Sequence, residues 1–268
     1  MTVFLDEVVS LTRKRVRESE ESKPSPILEE ICALLDPPPS LRASVSRKEG
    51  ERIKVIAEVK RSSPSRGPIR PDLVLEDLVK QYEEGGASAI SILTEPAFFG
   101  GSLSDLARAS EITPLPVLRK DFITEPYQLL EARAAGAAAV LLIVAILDQA
   151  RLEDLLAMSA SLGMEALVEV HDEKELSLAL ESGAGMIGVN NRDLKTLQVD
   201  METTLRLAPL VPESLTLVSE SGYTQPHQVR EAMARGVDAI LVGELLVRGG
   251  NPRRSITMLV GGDDRAPA

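Results

Sequence analysis

Four segments of this chain share one pattern, a glycine followed by an apolar run led by small residues. They are Gly86-Ala-Ser-Ala-Ile-Ser-Ile-Leu, Gly136-Ala-Ala-Ala-Val-Leu-Leu-Ile, Gly183-Ala-Gly-Met-Ile-Gly-Val-Asn and Gly236-Val-Asp-Ala-Ile-Leu-Val-Gly. They recur roughly every 50 residues, a spacing that marks a structural repeat. Each glycine follows an amphipathic stretch and fits the left-handed position just past a helix end, so each marks a helix passing into a strand. Between them lie four more short apolar runs, Ile53 to Val59, Pro116 to Arg119, Glu165 to Val170 and Leu215 to Ser219, each followed by helical sequence. The pattern predicts eight strands alternating with eight helices. Helix starts agree: Asp172 with Glu175 and Ser102 with Asp105 form capping-box-like pairs, and Thr124 and Thr224 each sit two residues before a proline. Strands rich in Val, Ile, Leu and Ala without strict alternation suit a parallel sheet covered by helices. Eight such units over residues 51–260 form a closed (β/α)8 barrel, an α/β TIM barrel, more naturally than an open doubly wound sheet, the runner-up.

The first 50 residues lie outside the repeat. Leu5, Val8, Val9, Thr12 and Val16 fall on one helical stripe, and Ile27, Leu28, Ile31, Leu34 and Leu35 make a second, stopped by Pro37-Pro38-Pro39. Residues 1–50 therefore read as an N-terminal helical extension packed on the barrel. Residues 261–268 are polar and read as a frayed tail. The 268 residues, 44% of them hydrophobic, suffice for one large core. A net charge of −11 argues against a nucleic-acid backbone or an anionic membrane as partner. The single cysteine, Cys32, has no intrachain partner, and the opening residues lack the basic-then-apolar order of a signal peptide, so a cytoplasmic location is expected. The longest apolar run, Ala134 to Leu147, falls short of the roughly 20 residues that span a bilayer, and Gly136 interrupts it. Nothing in the sequence sets the oligomeric state, and a monomer is compatible with it.

In barrels of this kind the site lies at the carboxyl ends of the strands, so the residues that end each strand carry the most information. The run Pro116-Val-Leu-Arg-Lys-Asp-Phe passes from an apolar strand into three ionised residues. Alternation puts Leu118 and Lys120 on one face and Val117 and Arg119 on the other. With Leu118 in the interior, Lys120 stands at its rim, where a partly desolvated ammonium can act as an acid or hold an anion. The first strand ends Ala57-Glu-Val-Lys, which puts Glu58 and Lys60 on one face. The fifth ends at Glu169, the sixth at Asn190 with Arg192 beyond it, and the seventh at Glu220 with Ser221. A structural ion pair accounts for any one of these, but less readily for five strands converging on one rim.

The last two strands end in Ser221-Gly222 and Val242-Gly243-Glu244, where glycine lets an anion approach the main-chain N–H groups. A small phosphorylated substrate is the expected partner. Phe98 and Phe99, beside two glycines after the second strand, favour an aromatic pocket or lid. Gly183-Ala-Gly-Met-Ile-Gly matches the dinucleotide pattern G-x-G-x-x-G but runs from helix to strand, the wrong order for that fingerprint. His171 and His227 have no cysteine or second histidine at ligand spacing, so no metal is expected, and His227 reads as solvated.

These residues lie in motifs that closely resemble the indole-3-glycerol phosphate synthase family. The resemblance runs from about Ile53 to Arg248 and rests on Ile56-Ala-Glu-Val-Lys-Arg-Ser-Ser-Pro-Ser, Phe99-Gly-Gly-Ser, Pro116-Val-Leu-Arg-Lys-Asp-Phe, Leu167-Val-Glu-Val-His, Gly188-Val-Asn-Asn-Arg-Asp-Leu, Val218-Ser-Glu-Ser-Gly and Leu241-Val-Gly-Glu. It implies the substrate 1-(2-carboxyphenylamino)-1-deoxyribulose 5-phosphate, ring closure to an indole with loss of carbon dioxide and water, and no cofactor or metal. Lys120 matches the family's general acid, with Glu169 holding its ammonium. Glu58 and Lys60 match the acid/base candidates for dehydration, and the division of labour between the lysines stays open. Asn190, Glu220 and Ser221 match residues that orient the substrate's hydroxyls, Arg192 pairs with the ring carboxylate, and Ser63 falls in the first motif as a substrate contact. Phe99, Phe122 and Leu141 would line the ring slot, and Gly222, Gly243 and Glu244 match the phosphate-binding turns. Leu245 stands where many relatives have a serine. Two rivals are weighed. Phosphoribosylanthranilate isomerase would need a cysteine at a strand end, whereas Cys32 precedes the barrel; a non-catalytic phosphosugar-binding barrel could dispense with Lys120 and Glu169.

Overall fold

The computed structural model describes residues 3–261, so the expected tail lies, beyond Gly261, outside the described residues. Three helices, α1 (Val3–Ser22), α2 (Ser25–Leu34) and α3 (Leu41–Val45), precede eight parallel strands. These are β1 (Lys54–Val59), β2 (Ala89–Leu93), β3 (Val117–Lys120), β4 (Ala139–Ile143), β5 (Glu165–Val170), β6 (Met186–Asn190), β7 (Thr216–Glu220) and β8 (Ala239–Val242). Each pairs with the next, and Lys54 to Ala57 pair with Ala239 to Val242, so the sheet closes on itself and leaves no edge. Closure decides against the open sheet. The returning helices are α4 (Leu75–Glu84), a four-residue α5 (Pro96–Phe99) with α6 (Leu103–Ile112), α7 (Pro126–Ala134), α8 (Gln149–Ser161), α9 (Glu173–Glu181), α10 (Glu202–Leu207) and α11 (Pro226–Ala234). After β8 come α12 (Glu244–Arg248) and α13 (Pro252–Leu259).

The four repeat glycines end their helices with φ between +82° and +89°, the left-handed geometry that admits glycine without a Cβ clash. Helix starts follow the sequence with two refinements. Asp172 caps α9 by accepting from the N–H groups of Lys174 and Glu175, but the Glu175 carboxylate turns to His171 instead of reciprocating. At α7 and α11 the cap positions are Glu125 and Gln225, one residue after each threonine, and the side chains of Gln128 and Gln228 accept the adjoining N–H groups.

Strand alternation sorts the core into two layers. Ile56, Leu118, Leu141, Leu167, Val218 and Leu241 fill the barrel interior, while Val55, Val117, Val140, Val168, Ile187 and Ile240 pack beneath the helices. The extension runs along the outside from one end of this barrel to the other. On α1 the stripe Leu5, Val8, Val9, Thr12 and Val16 is buried, as its spacing predicts. Phe4 sits edge-on to Phe98 and Phe122, and Arg15 donates both ways to the Asp121 carboxylate at 2.8 and 2.9 Å, which fixes α1 beside the end of β3.

The stripe expected on α2 is only partly realised. Leu28 is buried and Ile31 packs against the same cluster, whereas Ile27, Leu34 and Leu35 are exposed, Leu34 at 86%. This helix docks on Tyr127 and Leu130 of α7 through one narrow edge, too little surface to cover every apolar position. Helix α3 was not anticipated, since five residues carry too little periodicity to signal a helix. Leu41 and Val45 are fully buried with Ala89, Ala139, Met186 and Ala239, the first residues of their strands, so α3 plugs the N-terminal end of the barrel. Polar contacts hold the plug: Glu165 accepts from Ser40 Oγ and Arg42 N–H, and Asp238 accepts from Arg47 N–H.

Candidate active site

Glu58, Lys120, Glu169 and Glu220 are inward positions on β1, β3, β5 and β7, and alternate strands of a closed barrel contribute to the same interior layer. The four side chains therefore meet. Lys120 Nζ lies 3.0 Å from Glu220 Oε2, 3.7 Å from Glu169 Oε2 and 3.8 Å from Glu58 Oε2. Lys60 Nζ lies 2.5 Å from the other oxygen of Glu58. Two glycines make room for these carboxylates. A Cβ on Gly188 of β6 would lie 2.5 Å from Glu220 Oε1, and one on Gly243 would strike Glu58 Oε1.

Charge and burial compete throughout this layer. Burial disfavours the Lys120 ammonium, but Glu220, Glu169 and Glu58 together overcome it and raise its pKa. Lys120 is thus held as a cation, the form that can donate a proton. Burial pushes Glu58 up, and Lys60, Lys120 and Arg192 outweigh it, leaving its pKa lowered. Glu169 is likewise carried against burial to about 2 by Lys120, His171 and Asn190. Glu220 goes the other way, to about 7, because burial and the neighbouring carboxylates Glu169 and Glu58 exceed the pull of Lys120. With three carboxylates facing two ammoniums, the most deeply buried carboxylate retains its proton most readily.

Above this layer opens a cavity of about 570 Å³. Its wall includes Glu58, Lys60, Lys120, Glu169, Asn190, Arg192 and Ser221, together with Phe99, Phe122 and Leu141 and the turn residues Gly222, Gly243 and Glu244. These residues, singled out from strand ends and motifs spread from Glu58 to Glu244, share one space. Phe4, Phe98, Phe99 and Phe122, all four phenylalanines of the chain, form one cluster at its side, with Phe99 and Phe122 centroids 6.3 Å apart. Glu95 builds the Phe99 turn by accepting from the N–H groups of Ala97, Phe98 and Phe99. Ser221 and Gly222 both have positive φ, and Asn191 donates to the Ser221 carbonyl to hold that turn. Asn190 Oδ1 accepts from Arg192 N–H, and the Arg192 guanidinium donates to the Leu197 carbonyl.

Two residues are placed differently from expectation. Glu220 has no exposed surface and lies beneath Lys120, off the cavity wall. Ser63 is absent from the cavity wall; it is buried in a two-residue hairpin formed with Gly67, its hydroxyl unpartnered. The Glu244 carboxylate is engaged by Arg66 at 2.6 Å and Arg248 at 3.1 Å, so it is these guanidiniums and the local N–H groups that suit an anion. Arg119, beside Lys120 in sequence, is buried behind the barrel wall with Asp121, Glu131 and the Gln128 carbonyl. The sequence reading missed Arg66, which lines the cavity from the loop after β1, and His171, which stands next to Glu169. His227 is exposed, as expected.

Comparison with known proteins points one way. The sequence profile described as indole-3-glycerol phosphate synthase matches residues 5–259. An indole-3-glycerol phosphate synthase of Parafrankia sp. (strain EAN1pec) is 51% identical over 222 residues, 83% of each chain. Indole-3-glycerol phosphate synthase 1 of Streptomyces coelicolor is 46% identical over 96% of this chain and 94% of its own. Among solved structures, 3-hexulose-6-phosphate synthase from Salmonella typhimurium superposes with a TM-score of 0.63 at 14% identity, covering 78% of this chain and 97% of that one. A mutant tryptophan synthase alpha-subunit from Pyrococcus furiosus gives 0.60 at 11%, covering 79% and 99%. At such identities these two likenesses concern the barrel alone.

Proposed function

The chain belongs to the indole-3-glycerol phosphate synthase family, carboxy-lyases of tryptophan biosynthesis, and from that premise we propose how its own residues divide the reaction. The anthranilate ring of 1-(2-carboxyphenylamino)-1-deoxyribulose 5-phosphate lies between Phe99, Phe122 and Leu141, with its carboxylate toward Arg192. The phosphate takes the N–H groups around Gly222, Gly243 and Glu244, flanked by Arg66 and Arg248. Leu245 lines this end of the cavity and leaves the grip to guanidiniums and backbone.

Lys120 then stands at the ketone. As the ring carbon attacks, the ketone oxygen takes a proton from the ammonium, whose charge also stabilises the developing alkoxide. Carbon dioxide leaves from the ring carbon that bore it, returning the bonding electrons to the ring. The new hydroxyl departs as water after protonation, while a base removes the proton that restores aromaticity; the Glu58–Lys60 pair supplies both functions. Glu169 and Glu220 keep Lys120 charged and aimed, and Asn190 and Ser221 orient the substrate's hydroxyls. We place this chemistry in the cytoplasm, with a small phosphorylated molecule as the partner.

The observation that carries this reading is the single ammonium set among three buried carboxylates on the floor of a mostly apolar cavity. The test is turnover of the substrate followed by indole fluorescence. Lys120→Ala should lower kcat by roughly 10²- to 10⁴-fold while circular dichroism stays unchanged. Full activity in that variant refutes the role given to Lys120.

A further inference from the structure

His171 follows β5 directly, next to Glu169 and off the cavity wall. Its two ring nitrogens face two carboxylates: Nε2 lies 3.3 Å from Glu169 Oε1, and Nδ1 lies 2.9 Å from Glu175 Oε2. Glu175 on α9 also accepts the His171 main-chain N–H at 2.8 Å, so one carboxylate fixes both the backbone and the ring. A neutral imidazole offers one N–H, and two facing carboxylates call for two. The ring is therefore an imidazolium. Nε2 and Glu169 Oε1 are both buried and neither has a hydrogen-bond partner, so their 3.3 Å approach is an ion-pair contact, and Asn190 also acts on the Glu169 carboxylate. The opposite oxygen of the same carboxylate, Oε2, faces Lys120.

The charged surroundings of His171 come from several elements. Glu169 belongs to β5, Glu175 to α9, and Asp193, in the loop after β6, feels the imidazolium's charge. Lys120 stands beyond Glu169 as the one opposing cation of the group, and the turn Val144 to Ile146 that packs on α9 brings no charge.

We propose that His171 is a positioning residue for the reaction: with Glu175 behind it, it clamps the Glu169 carboxylate, keeping one oxygen turned to Lys120 and the carboxylate ionised. It acts through Glu169 and touches no substrate. The proposal rests on the roles given above to Lys120 and Glu169. Proton affinities agree with it. Burial works against the imidazolium, but Glu169 and Glu175 raise its pKa to about 10, while Glu169 is drawn to about 2.

The experiment is steady-state turnover against pH for wild type, His171→Leu and His171→Gln, alone and in a Glu169→Gln background. His171→Leu should lower kcat by roughly ten- to a hundredfold with little change in KM, the signature of a displaced catalytic partner. The deficit should widen toward acid pH, because without the imidazolium Glu169 takes up its proton at higher pH. It should narrow above about pH 10, where His171 gives up its own proton. His171→Gln, which keeps an N–H able to reach Glu169, should recover part of the rate, and it carries the same comparison should the leucine variant fold poorly. On top of Glu169→Gln, either change should add nothing. A deficit independent of pH, a full additional loss in the Glu169→Gln background, or unchanged turnover overturns the proposal. Wild-type turnover and its loss in Lys120→Ala test the underlying reading separately.

Discussion

At the scale of single residues, the candidate site is governed by a shortage of positive charge. Glu58, Glu169 and Glu220 share Lys60 and Lys120, and Glu220, the deepest, is pushed up to about 7. Protonation there strips Lys120 of its nearest partner, so kcat/KM should rise with pH through a step near 7 that Glu220→Gln lacks; a pH–rate profile of both proteins checks this. Stability follows with opposite signs for the two coupled carboxylates. Glu220, with a pKa above its ordinary 4.5, contributes stability that is complete below 4.5 and lost as pH rises through about 7. Glu169, lowered to about 2, contributes stability that is complete above 4.5 and lost as pH falls toward 2. Glu220→Gln should therefore become progressively more favourable, relative to wild type, between about pH 5 and about pH 8, as measured by urea unfolding.

At the scale of elements, strand β6 and the turn after β8 serve the site by what they omit. Gly188 and Gly243 leave the space that Glu220 and Glu58 occupy, so Gly188→Ala must displace either its own strand or the carboxylate beneath Lys120. Overpacking of this kind costs about 1–3 kcal/mol, and kcat should fall more than the loss of Tm explains. Helix α1 serves β3 in another way. Arg15 reaches from the extension to Asp121, which also holds the buried Arg119. Arg15→Ala should cost about 1.5–3 kcal/mol, the range for hydrogen bonds to a charged group, by thermal or urea unfolding. Asp121→Ala should cost about 3–5 kcal/mol because it leaves the buried Arg119 guanidinium with Glu131 as its remaining carboxylate.

The same elements show what a linear sequence discloses. The barrel was legible because a helix end, a left-handed glycine and an apolar strand recur together, and each leaves a local mark. The rim was legible because period-two alternation tells which face a strand-end residue takes. Depth left no such mark: Glu58 and Glu220 look alike in sequence, yet one lines the cavity and the other lies under Lys120. Ser63 sits in a hairpin whose fold depends on tertiary contacts, among them Ser62 Oγ donating to the Phe98 carbonyl. His171 was invisible as a partner because its task depends on Glu175 returning beside it after the turn into α9.

At the scale of the whole molecule, one stretch of chain attends to both ends of the barrel. Helix α1 lies with Phe4 among the aromatic residues at the mouth, and α3 seals the base with Leu41 and Val45. Leu41→Ala, which opens a void against the first residues of several strands, should cost about 2–5 kcal/mol, read from urea unfolding, without altering residues at the opposite end. The seat for α3 is assembled from strand starts as far apart in the chain as Ala89 and Ala239, and the ring that holds them is completed when β8 pairs with β1. During synthesis, a helix made before the barrel thus has its docking surface finished by the eighth strand, made well after it. Until then Leu41 and Val45 have only part of their seat, and the final hydrogen bonds between the first and eighth strands act as the latch that lets the short third helix come home.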